Sequence, residues 1–132
     1  MRYLLDTNTL IHVMRGTTSM IDAMAKKNRG DIAVSSITCY ELYTGVEKCL
    51  DPPRERRKVD TLLGAVQQLF FDWSAAMHAA AIRAALESRG EMIGPYDVLI
   101  AGHALSLNLT LVTANTNEFQ RVPGLAIENW NQ

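Results

Sequence analysis

Asp6 closes the first apolar run of the chain, Arg2-Tyr3-Leu4-Leu5-Asp6-Thr7-Asn8. A strand that ends in a lone carboxylate puts that acid at the carboxyl edge of a sheet, where ligands and chemistry collect in open α/β folds. Stretches around Glu41, Asp97 and Glu118 can bring three more acids to the same edge. Four converging carboxylates repel one another unless a cation sits between them. The chemistry this pattern points to is metal-dependent work on phosphate.

Each acid also has a plainer reading. Asp6 can serve as a turn or helix cap at the strand exit, although Thr7 or Asn8 can cap equally well. Glu41 lies in the helical row of Ile37 and Gly45, which suggests a half-buried acid. A half-buried acid needs a partner or a metal, whereas a surface Glu near a helix start needs only the dipole. Asp97 follows Pro95 at the mouth of a helix that is apolar nearly all round, and such a helix is buried. Its carboxylate therefore faces the sheet edge. Thr113 and Asn115 follow a late strand and can face Asp6. For Glu118 the plainer reading, a solvated acid on a surface turn, is preferred.

Other chemistries find little support. His12, His78 and His103 show no ligand spacing and read as packing or surface residues. No nucleophile elbow or phosphate-cradling glycine loop is present. An aspartyl phosphotransferase needs a second acid two residues after the nucleophile, and Asn8 stands there.

The elements that must position these residues alternate between short strands and longer helices. Strands are expected at residues 2–5, 32–34, 69–71 and 110–112, with a last edge strand at 126–127. Helices are expected from Thr9 to Arg15, from Thr18 or Ser19 to Asn28, from Ser36 to Cys49, and from Pro52 to Gln68. Two more run from Ser74 to Arg89 and from Tyr96 to Leu107, and a helical turn surrounds Glu118. The fold class is α/β: a short parallel sheet flanked by helices, with the helices of residues 36–68 protruding as a hairpin.

The bulk properties fit one domain over residues 1–132, 48% hydrophobic and 20% charged. A net charge of −1 does not announce a nucleic-acid binder, so any RNA contact must come from a local patch. Arg54, Arg56, Arg57 and Lys58 form one basic stretch, and Lys26, Lys27 and Arg29 another. Cys39 and Cys49 show no metal spacing and form no disulfide framework. With no signal peptide or membrane span legible, a reduced cytoplasmic protein is expected.

Five blocks in order carry a family resemblance: Leu4-Leu5-Asp6-Thr7-Asn8, Ser35 to Leu42, Ile93 to Ala101, Leu111 to Phe119, and Val122 to Trp130. Together they resemble the PIN-domain ribonucleases, and more closely the VapC-type toxins of toxin–antitoxin pairs. The resemblance implies a Mg²⁺- or Mn²⁺-dependent endoribonuclease acting on structured RNA, with transfer RNA the typical target, and leaving 5′-phosphate and 3′-hydroxyl ends. It assigns Asp6 and Asp97 as principal metal ligands. Glu41 binds the metal directly or through water, or orients the attacking water. An all-oxygen donor set suits a hard cation. Thr7, Asn8, Ser36 and Thr113 would support the ligands or touch phosphate. Many members carry an Asp where this chain has Asn115, so either Glu118 or Asn115 fills the fourth position. The family further implies a homodimer and a cognate antitoxin laid across the hairpin groove, with Tyr40, Leu42, Tyr43 and Val46 as candidate lining. The rival readings are a metal-dependent phosphatase or DNA nuclease, and a catalytically impaired PIN-like module that binds RNA or a partner.

Overall fold

A computed structural model describes residues 1–131. Among the described residues, five short parallel strands make one sheet in the order β3-β2-β1-β4-β5. They are β1 (Tyr3–Leu5), β2 (Ile32–Ser35), β3 (Gln67–Leu69), β4 (Thr110–Val112) and β5 (Ile127–Glu128). The chain builds outward from β1 to β2 and β3, then returns to lay β4 on the other side of β1. That reversal makes the carboxyl end of β1 and β4 the switch point, where a crevice opens in sheets of this kind.

Seven α-helices among the described residues cover the sheet: α1 (Thr7–Met14), α2 (Thr18–Ala25), α3 (Ser36–Lys48), α4 (Pro52–Gly64), α5 (Trp73–Ser88), α6 (Pro95–Ser106) and α7 (Thr116–Phe119). Strand side chains alternate between the two faces. Leu4, Ala33 and Leu111 face α5 and α6, in a core with Ile82, Leu86 and Ile100. Tyr3, Leu5, Ile32, Val34 and Val112 face the other way, onto Leu10, Met20, Leu42 and Val59. The α3–α4 pair is held to that second core by Leu42, Val46, Val59 and Leu63, while most of α4 stays exposed. Against α5, α6 packs very closely: a Cβ on Gly102 would stand 2.5 Å from the backbone nitrogen of Ala79.

Several boundaries depart from expectation, among them the end of α2, at Ala25 rather than Asn28. Strand β3 comes earlier than 69–71, and α4 correspondingly stops at Gly64 rather than Gln68. Pairing of Gln67, Gln68 and Leu69 with Ala33, Val34 and Ser35 sets this register. An edge strand with Gln67 and Gln68 exposed lacks the apolar run that marks a buried strand. Helix α5 is capped by Asp72, whose Oδ1 accepts from Ala75 N at 3.0 Å, and not by Ser74. Helix α1 begins at Thr7 rather than Thr9, because Asp6 itself is the cap. Cys39 and Cys49 are free thiols. No helix among the described residues is long and apolar enough to cross a membrane.

Candidate active site

Strand β1 delivers Asp6 to the switch point. Its backbone N–H still donates to Val112 O at 3.0 Å, so it leaves the sheet in register with β4. The side chain is 3% exposed. Oδ1 accepts from Thr9 N at 2.9 Å and caps α1, while the Thr9 hydroxyl donates to Val112 O at 3.1 Å. Among the described residues no donor reaches Oδ2, which leaves that oxygen for a ligand. The capping role and the chemical role thus fall on two oxygens of one carboxylate. Asn8 is exposed and makes no side-chain hydrogen bond among the described residues.

Glu41 sits one and a half turns into α3, half-buried. The Thr7 hydroxyl donates to its Oε1 at 2.7 Å and lies 3.1 Å from Thr38 Oγ1. The start of α3 is fixed by Ser35, whose hydroxyl accepts from Ile37 N at 3.1 Å. Ser35 Oγ also lies 2.8 Å from Nδ1 of buried His103 on α6. Burial pushes the His103 pKa down, keeping the imidazole neutral. This contact ties α3, which carries Glu41, to α6, which carries Asp97. Sequence reading missed the tie, since its two ends lie 68 positions apart. Ser36 does not reach the acids. Its hydroxyl accepts from Phe71 N at 2.9 Å and pins the segment leaving β3.

Asp97 lies in the first turn of α6, beyond Gly94 and Pro95. A Cβ at Gly94 would meet Asp97 Oδ2 at 3.0 Å, so glycine makes room for this carboxylate. The Asp97 pKa is pushed up to about 6, first by burial and then by the charges of Glu118, Asp6 and Glu41. The four acids singled out in the sequence therefore share one field. Glu118 is not a solvated surface acid. It is half-buried, with Oε1 accepting from Gly94 N at 2.8 Å and Oε2 from the side-chain amide of Asn115. These bonds hold the amino end of α6 against the turn after β4. Thr113 is buried beneath that turn, and its Oγ1 accepts from Asn115 N at 3.0 Å.

The acids do not close into a ready-made cage. Among the described residues, no trio of His, Cys, Asp or Glu side chains is drawn together tightly enough to enclose an ion. The donor set is nonetheless all oxygen and mutually repulsive. It suits Mg²⁺, a hard cation that keeps several waters and takes only one or two carboxylates directly.

Residues 3–125, most of the chain, match the PIN domain family. The chain is a PIN domain. This PIN domain is 41% identical over 130 residues to the tRNA(fMet)-specific endonuclease VapC of Salmonella typhimurium, with 98% of each chain covered. It is 37% identical over 131 residues to the protein of the same name from Shigella flexneri, with 99% of each covered. Its fold superposes on DNA-bound VapBC from Salmonella typhimurium with a TM-score of 0.94 at 41% identity, covering 98% of each chain. The PIN domain therefore belongs with the VapC ribonucleases, and it is an enzyme.

Around the acids, the surface features divide. A groove of about 260 Å³ between α1, α3 and α4 is lined by apolar Ile11, Met14, Leu42, Val46 and Val59 and by charged Arg15, Glu41, Glu55 and Lys58. Of the four residues expected to line it, Leu42 and Val46 do. Tyr40 instead faces Tyr96, and the Tyr43 hydroxyl donates to Asp60. On α4, Arg56 lies 3.8 Å from Asp60 and Lys58 3.9 Å from Glu55. Arg54 and Arg57 make no ion pair among the described residues. Lys27 packs over the rings of Tyr3 and Trp130, which makes it a structural cation more than a free one.

Proposed function

We propose that this chain is the toxin of a toxin–antitoxin pair, a Mg²⁺- or Mn²⁺-dependent endoribonuclease that cleaves structured RNA and so stops translation. The observation that carries the reading is the gathering of Asp6, Glu41, Asp97 and Glu118 at the switch point of a VapC-like PIN domain, close enough that the other three push the Asp97 pKa further up. That arrangement costs stability unless a cation offsets it. Transfer RNA is the expected target, supported by the names of the Salmonella and Shigella relatives.

Asp6, through its free Oδ2, and Asp97 are the principal holders of the cation. When bound, the cation supplies positive charge beside the phosphate and makes an attacking water more acidic. Glu41, its Oε1 fixed by Thr7, presents Oε2 to orient that water and receive its proton. Attack on phosphorus breaks the bond to the 3′ oxygen and leaves 5′-phosphate and 3′-hydroxyl ends. Glu118 and Asn115 act at one remove by holding Gly94 and therefore Asp97. Thr113 shapes the turn beneath them, and Asn8, exposed at the rim, faces substrate.

An antitoxin partner is supported by the VapBC complexes among the similar structures. The groove that Glu41 helps to line, apolar along Ile11, Leu42 and Val59, is the expected seat for its chain. We further propose a cytoplasmic homodimer, the setting in which such a toxin meets the RNA of translation.

The test is cleavage of a total bacterial RNA pool and of purified transfer RNA by antitoxin-free protein, with Mg²⁺, Mn²⁺ or EDTA. Discrete fragments that need metal and vanish in Asp6→Asn support the nuclease. Folded protein that binds RNA without cutting it under either metal would favour the impaired binding module, with Asn115 as the altered position.

A further inference from the structure

We propose that Tyr40 and Tyr96 form a stacking platform that holds an unpaired nucleobase of the RNA beside the scissile phosphate. The inference rests on the ribonuclease reading and adds to it the contact that places the substrate. Tyr40 immediately precedes Glu41 on α3, and Tyr96 immediately precedes Asp97 on α6. The two rings meet across the gap between those helices, with centroids 5.6 Å apart and planes inclined by 55°. Their hydroxyl oxygens lie 3.3 Å apart. A pair built only to pack α3 on α6 would turn its faces inward. Here Tyr40 remains 54% exposed and Tyr96 42%. Two large rings therefore face water at the rim of the acid cluster.

The chemistry of the rim favours aromatic rings over cations. A lysine or arginine at either position would be drawn into the carboxylates beside it and would compete with the metal. A neutral ring attracts a base through its face and leaves the acids alone. RNA recognition commonly takes this form, with splayed bases stacked on aromatic side chains. The hydroxyl contact also fixes both rings before binding, which lowers the entropy lost when a base arrives.

The experiment has two readouts on the full chain. In the first, single-stranded oligoribonucleotides carrying 2-aminopurine are bound to Asp6→Asn protein, with and without Tyr40→Ala, Tyr96→Ala or the matching Phe changes. The platform predicts quenching on binding, affinity lower by about tenfold in each Ala variant, and a smaller loss in the Phe variants, which keep the ring and lose the hydroxyl contact. In the second, RNA with an abasic nucleotide next to the cleaved bond is given to protein with Asp6 intact. The wild type should lose about tenfold in kcat/KM, and Tyr96→Ala should lose little more from the abasic change.

Equal abasic penalties in both proteins, or Ala variants that bind and cleave as the wild type does, overturn the proposal while the nuclease reading stands. So does Tyr96→Ala changing only the sedimentation of the protein, which would mean that the rings cover a second copy of the chain. If no RNA is cleaved but quenching still depends on the rings, the platform survives and the nuclease reading fails.

Discussion

Asp97 combines two demands that conflict in the metal-free protein. Its pKa is raised to about 6 from an ordinary value of 3.8, so the folded state favours its protonated form. Stability is therefore highest below pH 4 on this account, and it falls as pH rises through 6. In EDTA, thermal melts should show the wild type losing stability from pH 4 to pH 7, while Asp97→Asn shows a flatter profile. At pH 7 the variant should melt higher, by about 4 °C for roughly 1 kcal/mol after allowance for solvent screening. Cleavage should vanish, and saturating Mg²⁺ should raise the melting point of the wild type more than that of the variant. Asp6 separates its two roles differently. Asn keeps the cap and removes the charge, so Asp6→Asn should fold normally without activity. Asp6→Ala should also cost about 1 kcal/mol in urea melts, from the lost cap. Asp6 and Asp97 were legible because one ends a strand and the other opens a buried helix, and Glu41 because it shares a helical row with Ile37 and Gly45, whereas Glu118 read as a solvated acid. The bonds of Glu118 were not legible, since Gly94 lies 24 residues away and nothing local announces it.

At the scale of elements, the distance between α3 and α6 sets how far Glu41 stands from Asp97. Two contacts control it: the His103–Ser35 bond and the close approach of Gly102 to Ala79. A methyl group at 102 meets backbone rather than a flexible side chain, so α6 has to move away from α5. Gly102→Ala should therefore cost about 1–3 kcal/mol in chemical denaturation. It should also depress kcat in the protein that remains folded, because the shift is transmitted to Asp97. A variant with full activity and full stability would contradict this packing account. The helices were largely readable from capping residues and apolar spacing. Strand β3 was misplaced for a physical reason. Its place is set by hydrogen bonds to β2 rather than by burial, and the apolar Phe70 beside it is 85% exposed.

Across the whole molecule, a net charge of −1 leaves RNA affinity to local surfaces. Composition alone could not say which cations are free. Lys27 is committed to two aromatic rings and Arg56 to Asp60 and the Tyr43 ring, whereas Arg54 and Arg57 project from exposed turns of α4. Removing Arg54 and Arg57 together should weaken RNA binding and flatten its salt dependence by about one to two in the log–log slope. Lys27→Ala should lower the melting point with little change in that slope. The order of the sheet carries a consequence for the life of the chain. Strand β1 is synthesised well before its neighbour β4, and Glu118 follows β4. Until then Asp6 has no Val112 carbonyl to anchor it and the mouth of α6 has no carboxylate to hold it. A nascent chain, or one cut short by interrupted synthesis, thus carries Asp6 and Glu41 but no assembled crevice. The crevice comes into being only once β4 and the turn that carries Glu118 have been added to the chain.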